Sequence, residues 1–424
     1  MNVLDQSYAA ALDQSDSLAS FRDQFHIPVI NGKQTLYFTG NSLGLQPKNV
    51  KEYLYEELED WKNWGVEGHF RARRPWMPYH EFFSESLSKI VGAKPEEVVV
   101  MGSLTNNLHL LMVSFFRPKG KRTKILCEAK AFPSDQYALA SQLRFHGLDP
   151  ATHLIEVAPR DGEHHIHTAD FKSAIDTHGD EIAMMMIGGV NYYTGQVMAM
   201  EELTSHAQER GIIVGWDLAH GAGNVELHLH DWNVDFAAWC HYKYLNAGPG
   251  ATAGYFVHEK HHGQNDLPRF EGWWGHDKET RFQMPETFKP IPTAEAWQLS
   301  NAPVMAMAPV RASFDLVDQA GISNLRAKSE KLTAYLQQII EAVANETGEF
   351  LEIITPEGAR GAQISVHVHG YGKPLFDHLM EEGVIVDWRE PNVIRMAPVP
   401  LYNSFEDIRS FGQILKTYLE SHSA

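Results

Sequence analysis

Between residues 97 and 258 the chain repeats one unit, a short and almost uninterrupted apolar run followed by a longer stretch of helical periodicity. The runs are EVVVMG (97–102), KILCEA (124–129), HLIEVA (153–158), IAMMMIGGV (182–190), GIIVGWD (211–217), DFAAWC (235–240) and ATAGYFVH (251–258). Runs without polar alternation belong to strands covered on both faces, and such strands come in parallel sheets joined by helical crossovers. The pattern therefore predicts an α/β fold with a mostly parallel seven-stranded sheet flanked by helices. Two of the connecting helices carry end signals. The stretch 134–147 opens on Ser134, a good N-cap residue, and 200–211 ends on Gly211, suited to a C-cap.

Beyond about residue 290 the pattern changes. One long helical stretch, from Ala302 to about Ala344, leads into EFLEIIT (349–355), AQISVHV (362–368), VIVDWR (384–389) and VIRMAP (393–398), so a smaller α+β domain closes the chain. The expected division is an N-terminal segment (1–59) packing across the domain boundary, a large domain (60–300) and a small domain (301–424). The first segment carries the glycine-rich turn GNSLGLQP (40–47). The stretch 260–293, rich in Gly, Pro, Trp and His, is the one long irregular segment, and long ordered loops are often functional.

Charge and cysteine content restrict the partners. Thirty-six basic against 54 acidic residues give a net charge of -18, which argues against nucleic acid. Neither a basic and apolar leader nor a membrane-length apolar run is present, and the two cysteines, Cys127 and Cys240, are too few for a disulfide framework. A cytoplasmic protein without a membrane partner is expected.

Strand ends are where open α/β sheets collect ligands. Asp217 ends one predicted strand and Lys243 follows another, so an acid and an amine share a crevice. Lys243 follows Tyr242 and precedes a run of small residues, 247–253, that admits backbone to a ligand. SLTNNLH (103–109) opens a helix whose first N–H groups, with Thr105, suit an anion. In AFPSD (131–135), Phe132 offers a flat apolar surface with Ser134 and Asp135 beside it. These parts suit a flat, phosphorylated, electron-poor ring bearing an aldehyde. From these residues alone an aminotransferase, a desulfurase or a protein that merely retains the ligand is served as well.

From GNSLGLQP to IRMAPVPLYNS (394–404) the sequence resembles kynureninase, a pyridoxal-phosphate (PLP) enzyme of the aspartate aminotransferase fold type I. The stretches ALASQLRFHGL, NYYTGQ, WDLAHGAGNVELHLHDWNVDFAAWCHYKYLNAGPG and GWWGH carry the resemblance. It implies hydrolytic cleavage of the Cβ–Cγ bond of L-kynurenine or 3-hydroxy-L-kynurenine, giving L-alanine and anthranilate or its 3-hydroxy form, in tryptophan catabolism or NAD biosynthesis. It further implies that Lys243 carries PLP as an aldimine and moves protons, that Asp217 pairs with the pyridine nitrogen, and that His220 and Phe132 lie against the ring. Leu104, Thr105 and Tyr242 fall at the phosphate, with Trp273 and Asn301 supplied by the partner of a homodimer with a shared active site. Asp135 falls near the ring's hydroxyl side, Ser134 is counted among the cofactor-binding residues, and Tyr242 is a candidate proton donor.

On the substrate side the resemblance assigns the carboxylate clamp to Arg395 and the surroundings of the aryl ketone to Ser42, His69, His276 and Asn301. A polar pair of His69 and Asn301 beside the aryl ring favours a ring hydroxyl. Where some members carry serine before GVxxYTGQ, this chain has Gly188. His228 and His230, two apart as on a strand, HHIH (164–167) and His261–His262 are attributed to ordinary surface usage among 23 histidines rather than to a metal. Cys127 and Cys240 read as small core residues.

Overall fold

A computed structural model of the chain describes residues 2–422. The seven apolar runs form one sheet: β1 (Val98–Val100), β2 (Lys124–Glu128), β3 (Leu154–Val157), β4 (Ile182–Gly188), β5 (Ile213–Asp217), β6 (Phe236–Trp239) and β7 (Gly254–Val257). Their spatial order is β1-β7-β6-β5-β4-β2-β3. β7 runs antiparallel to both of its neighbours, and the other pairs along the sheet are parallel. The reason lies in the connections. A parallel return needs a crossover that is usually helical, and the segment between β6 and β7 contains no helix.

Apolar side chains cover both faces. Leu126, Met185, Val214 and Trp216 belong to one core cluster, while Ile125, Met184, Met186 and Phe236 belong to another. This two-sided burial is the physical origin of the unbroken apolar runs.

Helix α1 (Val50–Trp64) precedes the sheet, α2 (Leu104–Phe115) follows β1, and α3 (Pro133–Phe145) follows β2. The expected serine cap of α3 is not formed. Phe132 occupies the cap position and Pro133 the first helical position, where a missing N–H costs nothing, so Ser134 sits inside the first turn. The helix after β4 ends at Gln208, short of the predicted Gly211, although Gly211 has the positive φ of a chain turning out of a helix.

The long stretch predicted from Ala302 divides into α4 (Val304–Ala320) and α5 (Ile322–Thr347), because Gly321, at φ 78°, breaks it. Beyond them β8 (Glu352–Ile353), β9 (Ile364–His367), β10 (Asp387–Arg389) and β11 (Val393–Met396) form an antiparallel sheet in the order β8-β9-β11-β10, against which α6 (Phe405–His422) contributes to a second core. The predicted strand VIVDWR is two pieces. Asp387–Arg389 joins this sheet, whereas Val384–Ile385 pairs in parallel with Leu36–Tyr37 near the start of the chain.

The segment after Leu36 then runs through the molecule. Phe38 is fully buried in the core of the small sheet, Thr39 bridges to Ala397, Leu45 enters the core of the large sheet, and the Gly44 N–H donates to the Tyr242 carbonyl at 2.8 Å. Among the described residues no helix is long and apolar enough to cross a membrane.

Candidate active site

A crevice of about 380 Å³ lies over the carboxyl ends of the parallel strands. β1 delivers Ser103, Leu104 and Thr105 at the start of α2, whose first-turn N–H groups have no earlier helical carbonyl to bond. β2 ends in Glu128 and is followed by Phe132, Ser134 and Asp135, β4 ends in Gly188, β5 ends in Asp217 with His220 just beyond, and β6 leads to Tyr242 and Lys243. Asn41 and Ser42 enter from the N-terminal segment, and Arg389 and Arg395 from the small sheet.

The floor is acidic and buried. Asp217 accepts the Ala219 N–H at 2.6 Å. Burial pushes the Asp135 carboxyl well above the usual range and the negative charge of Asp217 pushes it further, so Asp135 holds the proton and hydrogen-bonds the Asp217 carboxylate. Burial also raises Glu128, to about 7, even though it accepts the Gly188 N–H at 3.1 Å. A Cβ at residue 188 would sit 2.9 Å from Glu128 Oε1, so the absent side chain of this glycine is what admits the carboxylate.

Lys243 Nζ lies 3.0 Å from His220 Nε2. Burial, and then the charge of Lys243, holds His220 well below its ordinary value, so the neutral ring accepts from Lys243 Nζ through Nε2. Burial pushes the Tyr242 hydroxyl up, keeping it a proton-bearing phenol at neutral pH. The backbone of this turn is held from behind by the Asn246 N–H to the Lys243 carbonyl at 2.9 Å and by the Ser313 hydroxyl to the Leu245 carbonyl. Phe132, 45% exposed, stands edge-on to Tyr192 at 5.2 Å between centroids, leaving a ring face open. Arg395 is 1% exposed; it donates to the Tyr192 carbonyl at 2.5 Å and pairs with Asp387, which also holds Arg389 at 2.9 Å.

Four crevice residues carry buried polar atoms without a hydrogen-bond partner among the described residues: Asn41 Oδ1, Asp135 Oδ1, His220 Nδ1 and Arg395 Nε. Such atoms are costly unless a ligand meets them. With an amine, an acid, an open aromatic face and a helix N-terminus, they fit a phosphorylated pyridine aldehyde together with an amino acid carboxylate.

Of the residues singled out in the sequence, Ser42, Leu104, Thr105, Phe132, Ser134, Asp135, Asp217, His220, Tyr242, Lys243 and Arg395 line this crevice. Four do not. His69 meets the Val66 carbonyl through Nδ1 at 2.9 Å, Trp273 donates to the Arg281 carbonyl, His276 contacts the Thr280 hydroxyl at 3.1 Å, and Asn301 is exposed. Sequence reasoning passed over Asn41, Ser103, Glu128, Tyr192 and Arg389. Glu128 had a readable signal, a charged residue closing a buried apolar strand.

His230 is not on a strand; it bonds Glu97 at 3.0 Å and stacks on His258. Both cysteines are buried.

The family model "Kynureninase C-terminal domain" matches residues 325–415. The kynureninase of Christiangramia forsetii is 55% identical over 413 residues, covering 97% of each chain, and that of Flavobacterium johnsoniae is 56% identical with the same coverage. The kynureninase of Myxococcus xanthus is 53% identical over 97% of this chain and 96% of its own. Among solved structures, a cysteine desulfurase of Thermococcus onnurineus superposes with a TM-score of 0.75 at 18% identity, covering 95% of this chain and 98% of its own. A C-DES variant with glycine covalently linked to PLP superposes with a TM-score of 0.74 at 14% identity, covering 90% and 96%. These likenesses show the fold, which is fold type I of the PLP-dependent enzymes.

Proposed function

Because this chain belongs to the kynureninase family, we propose that the crevice at the strand ends is where it performs the family's reaction, with the residues that line it in the roles below. The protein is a PLP-dependent hydrolase that cleaves the Cβ–Cγ bond of kynurenine to anthranilate and alanine, a step of the kynurenine pathway of tryptophan breakdown. What supports the assignment is the convergence of Lys243, Asp217, Phe132 and the N-terminus of α2 on one cavity.

Leu104 and Thr105 at the start of α2 bind the cofactor phosphate through N–H groups and the positive end of the helix dipole. Phe132 lies on the ring face, and Asp217, kept ionised by the proton on Asp135, pairs with the ring nitrogen. When bound, the cofactor supplies the electron sink for negative charge at the substrate's Cα and Cβ. Lys243 would hold the cofactor through Nζ and take the proton from the substrate's Cα, with neutral His220, 3.0 Å from Nζ, keeping the amine in line. Arg395 binds the substrate carboxylate, its guanidinium pre-set by Asp387 and the Tyr192 carbonyl. Water adds to the γ-carbonyl carbon, and the Cβ–Cγ bond breaks with its pair passing to Cβ. The Tyr242 phenol protonates Cβ and recovers its proton from the added water, and Lys243 returns a proton to Cα, which completes alanine.

His69, Trp273, His276 and Asn301 act in the crevice of a second copy. Close to them in sequence Trp61, Val66, Phe70, Phe282 and Met284 are exposed, apolar surface that a homodimer would cover. The two buried free thiols support a reducing, cytoplasmic setting.

The test is turnover of L-kynurenine and 3-hydroxy-L-kynurenine by PLP-loaded protein, followed as aromatic product and alanine. Lys243→Ala abolishes turnover and the visible absorbance of bound PLP. Turnover of neither substrate with that absorbance intact would overturn the reaction while keeping the cofactor. Mixing Lys243→Ala with Asn301→Ala chains restores activity if sites are shared, and no recovery on exchange refutes the sharing.

A further inference from the structure

Away from the crevice, at the seam between the two sheets, His164, Glu352 and His367 bring ligating atoms within 4.8 Å of one another, with His369 beside Glu352. Glu352 on β8 and His367 on β9 are cross-strand partners, His369 follows two residues on, and His164 approaches from the loop 161–167 that follows β3. Glu352 Oε1 is 3.2 Å from His164 Nε2, and Glu352 Oε2 is 2.7 Å from His369 Nε2 and 3.4 Å from His367 Nδ1.

The 3.2 and 3.4 Å spacings match those around a small ion, and the 2.7 Å one is a direct hydrogen bond. Ligands about 2.0–2.2 Å from a tetrahedral Zn²⁺ stand roughly 3.3 Å from one another, and imidazole with carboxylate is a donor set that zinc accepts. Side-chain exposures between 20% and 42% leave room for an ion to enter and keep water. Among the described residues, the Glu352 carboxylate has no partners except these imidazoles.

A second acid–imidazole group, Glu97 with His230 and His258, differs on this point. There the carboxylate takes the Lys94 and Glu259 N–H groups, and His258 is bonded to the Lys260 N–H and the His230 carbonyl, so the network is closed by backbone.

We propose that His164, Glu352 and His367, with His369 as a fourth donor, bind a divalent transition-metal ion of the Zn²⁺ type that fastens the loop 161–167 to the small sheet. The site is structural, because none of its ligands lines the crevice. It lies on the framework of the substrate clamp all the same. β9 is hydrogen-bonded to β11, where Ser365 is the partner of Arg395, and the loop end at Ile166 is tied to Gln196 in both directions at 2.9 and 2.7 Å. Metal bound only by the folded protein raises its stability by mass action.

The test is calorimetric titration of chelator-treated holoenzyme with ZnCl₂, paired with thermal unfolding with and without zinc. Wild type is expected to take up one ion per chain and to unfold at a higher temperature with it. Glu352→Gln and His164→Asn should each weaken binding at least about tenfold, since even partners that only orient a ligand are worth that much. His228→Asn, at an exposed histidine elsewhere, should leave binding intact. Retained turnover of kynurenine by each variant establishes that it is folded. Wild type without saturable uptake, or variants that bind zinc as wild type does, would overturn the proposal.

Discussion

Replacing Glu128 by glutamine should change how the stability of the protein depends on pH. Burial, helped by the negative charge of Asp217, lifts this carboxyl from 4.5 to about 7. The folded chain therefore holds the proton more tightly than the unfolded chain. Its contribution is fully favourable below about pH 4.5, declines as pH rises towards 7, and is lost above that. A gap of about 2.5 pH units at 1.36 kcal/mol per unit amounts to roughly 3 kcal/mol. The substituted amide would keep the shape and an oxygen for the Gly188 N–H while removing the titration. Asp135 and Asp217 titrate in both proteins and largely cancel in the difference. Urea unfolding of the two cofactor-free proteins should show the variant gaining about 3 kcal/mol on wild type between pH 4.5 and 8. A stability difference independent of pH would refute the claim that Glu128 is buried at the expense of its charge.

Phe38→Ala removes a fully buried ring that meets Phe411 in the small core at 6.0 Å between centroids; a loss of about 3–5 kcal/mol is expected in urea unfolding. In Gly44→Ala the new Cβ would fall 2.5 Å from the Lys243 carbonyl oxygen and 2.2 Å from Asn246 Oδ1, so the lysine turn must move. An ångström of displacement there should lower kcat/KM by about 100-fold with the protein still folded. Arg395→Lys keeps the charge but loses the fork. About 1.5–3 kcal/mol, or roughly ten- to a hundredfold in kcat/KM, should be lost, mainly through KM.

The sheet was legible because burial on both faces leaves a mark at every position of a strand. Each of the seven apolar runs contains one strand of it. The direction of β7 left no such mark, since periodicity does not distinguish a strand that returns from one that crosses over. Gly321 lay inside an otherwise continuous helical pattern, and periodicity alone reads through the one residue whose positive φ ends α4 and precedes α5.

In the site, Asp217 and Lys243 stood out because strand ends are readable. Glu128 ends a strand too, but its reach into the crevice depends on Gly188 at the end of another strand, and that coincidence exists only in three dimensions. Arg389 gave still less. It closes a strand too short to show a period, and Asp387 is what turns it towards Arg395. The four residues found outside the crevice stand on no strand of the large sheet, so no strand-end signal places them.

The path of the N-terminal segment bears on how the protein comes to life on the ribosome. Leu36–Tyr37 waits for Val384–Ile385, Thr39 for Ala397, and Phe38 for a core built from α5 and α6. Contacts so distant in sequence are slow to close. The large sheet can assemble while the remainder is still being synthesised, but the segment that bears Ser42 and props the lysine turn through Gly44 has nowhere to dock until the last strands emerge. The crevice is therefore completed last, when the small sheet supplies both Arg395 and the partners on which the N-terminal segment docks.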